Sequence, residues 1–240
     1  MLALLKRLIL CLVFLPLLVG TAYPAENARK HPDLTARITN IKTILLLPTV
    51  KMSEILAGGV KEYREEWSSQ AKENVTKAVV EHLKGKQIEA KTLAADQAPP
   101  EALTDVQALY GAVSSSIRLH TYGDVHLFPE KLREFDYSVG SIDTIAKDMG
   151  IDAILFIDAV DEISTAGRKA LMTAGVVAGA LIGIIPVPQR GINTVSLGLV
   201  DASGTVLWFT VRYDGGDLRE PGGASQTVTG MLAELTGAGR

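Results

Sequence analysis

The chain has 240 residues, 47% of them hydrophobic, with 24 basic and 27 acidic side chains and a net charge of −3. That is enough apolar material for a buried core in one or two domains, and no basic stripe is present to track a phosphate backbone, which argues against nucleic acid as the main partner. The single cysteine, Cys11, rules out an internal disulfide.

The first 22 residues read as a targeting segment. Lys6 and Arg7 form a basic start, Leu8 to Val19 an apolar stretch, and Gly20-Thr21-Ala22 a cleavage site with small residues at −3 and −1. At about twelve residues the apolar stretch is short of the roughly 20 that span a bilayer, so export with cleavage after Ala22 is expected rather than an anchor helix. Cys11 lies inside that stretch rather than after it, which disfavours a lipid anchor. Cleavage removes two cations and leaves 22 basic against 27 acidic side chains, a net −5, and no thiol for disulfide, zinc or nucleophile.

Residues 23–40 read as a polar leader, and residues 41–240 as one domain. A strand over Ile41–Val50 contains Ile44-Leu45-Leu46-Leu47 and is expected to end at Pro48; so continuous an apolar run suits a strand buried on both faces. A helix over Glu62–Lys84 buries Trp67, Ala71, Val75, Val79 and Leu83, with Gly85 at a left-handed end position. Gln87–Leu93 alternates like a half-exposed strand. Thr104 and Gln107 form a capping box for a second helix with the stripe Val106, Leu109, Tyr110, Val113 and Ile117. His120–Glu134 reads as a loop, and Ser138–Met149 as a helix stopped by Gly150.

Ile151–Ile157 is the second long apolar strand, running on to about Ser164. Ala170 to Pro188 follows, nineteen residues without a charge, in which Gly175, Gly179 and Gly183 recur every four positions. Small residues at that spacing lie along one line of a helix and let another backbone approach. Thr194–Val200 and Thr205–Arg212 form a hairpin across Asp201-Ala202-Ser203-Gly204, with Val206 and Trp208 on one face. A last helix buries Val228, Met231, Leu232 and Leu235. This order predicts a single α/β layered domain: a mixed sheet packed by helices, with an apolar glycine-patterned insertion between two strands.

Val195-Ser196-Leu197-Gly198-Leu199-Val200-Asp201 followed by Gly204-Thr205-Val206-Leu207-Trp208 resembles the closing hairpin of the curli-secretion-channel and TolB amino-terminal group of envelope proteins. Ile151-Asp152-Ala153-Ile154-Leu155-Phe156 resembles the strand before it. The resemblance implies an envelope protein with this strand order and an insertion where Ala170–Pro188 lies. The lipidation cysteine and the constriction loop of the curli channel have no counterpart, so pore formation does not follow.

No catalytic, cofactor or metal site is assigned from the residues. Ser69 and Lys72 fit a Ser-x-x-Lys spacing, but its companion motifs are missing and the pair sits on an amphipathic helix. His120, Asp124 and His126 read as a polar loop rather than metal ligands, and Asp158, Asp161 and Glu162 as a strand emerging into water. Arg168-Lys169 lacks phosphate-loop spacing and flanks the apolar segment. Three readings stay open for that segment: core packed on the protein's own sheet, self-association through Gly175, Gly179 and Gly183, or membrane insertion. The expectation is an exported, non-enzymatic envelope protein that contacts a protein partner, itself or a membrane, without nucleic acid, cofactor or small-molecule substrate. The alternative is a soluble binding module that uses the 120–134 loop.

Overall fold

The computed structural model describes residues 28–94, 98–123, 128–181, 191–213 and 215–236, with the side chains of 179–181 and 236 left aside. Residues 1–22, read above as a targeting segment, and Asp124, His126 and Gly183 lie outside the described residues. In chain order the elements are β1 (Arg29–Lys30), α1 (Leu34–Ile38), β2 (Thr43–Ile55), β3 (Lys61–Tyr63), α2 (Glu65–Lys84), β4 (Glu89–Thr92) and α3 (Glu101–Thr121). They continue as α4 (Glu130–Arg133), α5 (Asp143–Met149), β5 (Ala153–Ser164), α6 (Ala166–Leu181), β6 (Asn193–Asp201), β7 (Val206–Tyr213) and α7 (Pro221–Thr236).

The strands form one seven-stranded mixed sheet in the order β1-β7-β6-β5-β2-β3, with β4 also paired to β2. β2 and β5 run parallel in full register from Ile44–Ala153 to Ile55–Ser164, and β5, β6 and β7 are successive antiparallel neighbours. Helices cover both faces. On one, α2 and α7 pack Val75, Val79, Met231 and Leu232 over Leu46, Leu155 and Leu197. On the other, α3 and α5 pack Tyr110, Ile117 and Ala146 over Leu45, Ile154 and Phe156. The run Ile44–Leu47 is buried throughout because it feeds both layers.

Several local expectations are corrected. β2 does not end at Pro48 but passes through it to Ile55. β4 pairs β2 only up to Leu46 and β3 only from Ser53, so between them β2 has one open side. The Met52 N–H donates to Ser68 Oγ at 2.9 Å and its carbonyl accepts from the Arg64 N–H, away from β5. Pro48 has the same phase, so its missing donor costs no ladder bond. Gly85 is right-handed, φ −62°; the left-handed residue is Gln87, φ +61°. Gly150, at φ +60°, ends α5 as expected.

Thr104 is not an N-cap, since α3 begins at Glu101 after Pro100, and Gln107 instead donates to Thr49 Oγ1 at 3.0 Å. Leu109 is exposed, while Leu103 takes its place in the stripe. In the hairpin, Leu199 pairs with Trp208 and Val200 with Val206, so Leu207 is an extra residue. That bulge turns Val206 and Trp208 to opposite faces. Residues 29–38, within the segment read as a leader, carry an edge strand antiparallel to β7 and the buried Leu34.

Candidate functional site

Ten large hydrophobic side chains are exposed among the described residues, and seven of them sit at one end of the sheet. Val60 and Tyr63 come from the β2–β3 hairpin, Val160 from β5, Leu171 and Val177 from α6, Ile192 from the return to β6, and Tyr213 from the end of β7. The register gathers them: Tyr63 lies opposite Ser53, Val160 opposite Thr194, and Thr194 opposite Tyr213. All seven are 40–61% exposed, which makes this a patch rather than scattered single residues.

α6 stands on this end. It leaves β5 after Thr165, whose hydroxyl accepts the Arg168 N–H at 3.1 Å. Lys169, Met172, Thr173 and Val176, spaced as one helix face, line a groove of about 630 Å³ against Ile163 of β5. The outer face carries Leu171, Ala174, Gly175 and Ala178, all exposed. A Cβ built on Gly175 meets nothing within 4 Å. The described part of the glycine helix is therefore not core of this chain, which removes the first of the three readings for Gly175. Gly179 continues the helix. No helix among the described residues is long and apolar enough to cross a membrane.

Beside the groove lies a buried polar cluster. Asp161 is 6% exposed and faces the α2–α7 layer in phase with Ile157 and Ala159. Burial, with the nearby Asp217 charge, pushes its carboxyl up to about 6 against a hydrogen bond from Asn193. Asn193 also accepts the Gly215 N–H at 2.9 Å. Asp217 pairs with Arg219 at 2.6 Å, the Arg219 guanidinium lies 4.5 Å from the Trp67 ring, and Asn74 donates to the carbonyls of Leu218 and Arg219. Asp158 faces the other layer and is raised by burial, with Arg118 opposing. The two acids do point to opposite sides; Asp161 is buried, whereas Asp158 is half-buried. The period-two phase from Leu155 to Asp161 was the available signal for this burial.

The remaining motifs are structural. Ser69 and Lys72 are exposed on α2. His120 is not in a loop: it ends α3, with Nδ1 2.9 Å from the Tyr137 hydroxyl and its ring edge-on to Phe128. No group of three metal-ligating side chains occurs among the described residues.

The residues that carry the family resemblance hold the opposite end of the sheet. Asp152 accepts the N–H groups of Lys42 and Thr43 at 2.8 and 2.9 Å. Asp201 accepts Arg37 Nη1 at 2.9 Å and the Ser203 hydroxyl at 2.6 Å, closing the β6–β7 turn. Gly204 there has φ +81°, and a Cβ on it would collide with the Gly140 carbonyl.

No protein-family model matches the chain, and no curated protein matches it. Among solved structures, the chain is similar to the LpoB C-terminal domain from Salmonella enterica, at 9% identity and a TM-score of 0.26, over 77% of this chain and 94% of that one. It is also similar to lipoprotein GNA1162 from Neisseria meningitidis, at 12% identity and a TM-score of 0.30, over 82% and 99% of the two chains. At these scores neither likeness carries a function across.

Proposed function

We propose that this chain is an exported, non-enzymatic protein of the cell envelope that acts by binding or assembly, with the α6 end of the sheet as its contact surface. The observation that carries the reading is the gathering of seven exposed hydrophobic side chains at that end, contributed by five separate stretches of chain. Export is supported by the basic start, short apolar stretch and small residues of positions 1–22. Binding rather than catalysis is supported by the groove lining, in which Ile163, Met172, Val176 and Val177 are apolar and Glu162 and Lys169 supply the charge.

The test is a double substitution, Leu171→Glu with Val177→Glu, on two exposed positions. Circular dichroism and melting temperature should stay those of the parent. The variant should sediment as a smaller species in analytical ultracentrifugation, or leave the membrane fraction of host cells. Unchanged sedimentation together with unchanged fractionation would overturn the reading.

A further inference from the structure

Resting on that reading, we propose that what covers the α6 end is a second copy of this chain, docked about a twofold axis. Strand register sets out the patch. On the sheet face covered by α3 and α5, Val160 shares one row with Lys51, Thr194 and Tyr213, and the next row outward holds Tyr63, Ser53, Glu162 and Ile192. The helices cover this face as far as Phe156 and Val211 and leave Val160, Tyr213, Tyr63 and Ile192 exposed. α6 adds an apolar wall. From Ala166 to Ala178 none of its residues is buried, and only Arg168, Met172 and Val176, one stripe of the helix, are half-buried. An apolar helix is ordinarily covered on its other faces too.

Area and charge choose the occupant. The seven side chains of this end, 40–61% exposed, leave on the order of 100 Å² each to water, about 700–800 Å² in all, which is what one partner contributes to a standard stable interface. Charges of both signs lie among them and answer one another: Glu162 with Lys61 at 2.6 Å, Glu54 and Glu62 with Arg64, and Asp217 with Arg219 at 2.6 Å. Buried Asp161 has Arg219 as an opposing charge, half-buried Asp158 has Arg118 and Lys51, and Arg168 is engaged as well. With no field of one sign, this end neither selects a charged surface nor repels its own copy. The Lys61–Glu162 pair stands within the patch, Glu162 in the row of Tyr63 and Ile192, and ionised groups there count against hydrocarbon as the covering phase. A protein interface keeps such pairs at its rim. About a twofold axis the same rows and helix meet themselves, so one surface supplies both halves.

The experiment uses the full chain carrying Cys11→Ser. Sedimentation velocity over a wide range of concentration should show monomer and dimer in exchange and no larger species. Tyr63→Ala, at a 60% exposed position, should raise the dissociation constant about tenfold with circular dichroism unchanged. A short bifunctional maleimide should link Leu171→Cys or Val177→Cys into dimers and leave Asn40→Cys, at the opposite end, monomeric. Linkage through position 40 as readily as through 177 overturns the proposal, as do species that grow beyond two copies or a Tyr63→Ala variant that associates like the parent. A chain that stays monomeric throughout overturns it too. If Leu171→Glu with Val177→Glu then still alters the host membrane fraction, the contact-surface reading stands with another partner; if it does not, both fall.

Discussion

Tyr110 and Gly198 compete for one volume: a Cβ on Gly198 would fall inside the contact radius of the Tyr110 phenol oxygen. The ring is stacked on Phe156 at 3.8 Å with an 8° tilt and cannot swing aside. Gly198→Ala should therefore lower stability by about 1–3 kcal/mol in denaturant melts. The Tyr110 hydroxyl is buried and has no hydrogen-bond partner among the described residues, so Tyr110→Phe should be near neutral or stabilising. In the double variant the loss should be smaller than the sum of the two. Strict additivity would mean the residues do not meet.

Trp208 is fully buried among the side chains of the α2–α7 layer. Trp208→Ala should cost about 3–5 kcal/mol. Its indole N–H has no partner among the described residues, so Trp208→Phe should lose packing volume without a broken hydrogen bond and cost clearly less. Equal losses from the two variants would contradict this.

Asp161 gives the fold a pH dependence of definite sign. Its folded pKa, about 6, lies above the ordinary carboxyl value of 3.8, so between those limits the native state binds the proton more tightly than the unfolded chain. The contribution is fully present below about pH 4 and is lost as pH rises through 6. Asp161→Asn should therefore gain stability over the parent at pH 7, on the order of 2–3 kcal/mol, and lose that advantage at pH 4. Paired thermal melts at the two pH values measure it. A gain of the same size at both would remove the titration as its cause.

Gly175 lies on an open helix face, so an added methyl meets nothing. Gly175→Ala should raise the stability of α6 by up to about 1 kcal/mol through helix propensity, with hydrogen exchange along α6 as the readout. Faster exchange in the variant would show that the position is packed.

Mass spectrometry of protein from its native host should find an N-terminus at Tyr23, following the small residues Gly20 and Ala22. A mature pool that retains Met1 would contradict export with cleavage.

The two long strands and the hairpin were legible because continuous apolar runs and a turn-forming linker leave few alternatives for Ile44–Leu47, Ile154–Ile157 and Val195–Trp208. What escaped depends on partners. Pro48 reads as a terminator until the open side of β2 is known. Val206 and Trp208 separate because of one extra residue, Leu207, which no alternation marks. Asp161 reads as exposed because an acid near a strand end normally is. The apolar end was hidden for a simpler reason: Val60, Val160, Leu171 and Tyr213 are spread over more than half the chain, and only strand register makes them neighbours.

β5 and β6 are antiparallel neighbours already zipped at Asp161–Asn193, and the Glu162 N–H still donates to the Ile192 carbonyl at 2.8 Å. Gly191 lies so close to Glu162 that a side chain there would strike its carbonyl. Everything between this last rung and its return is, in topological terms, the loop of a hairpin whose ends are fixed at bonding distance. A loop so clamped can lengthen, shorten or be exchanged for a tight turn with its entropy cost rising only slowly with length. The domain is thus a chassis with an interchangeable head, in which surface affinity can be selected or engineered while the sheet beneath keeps its folding instructions.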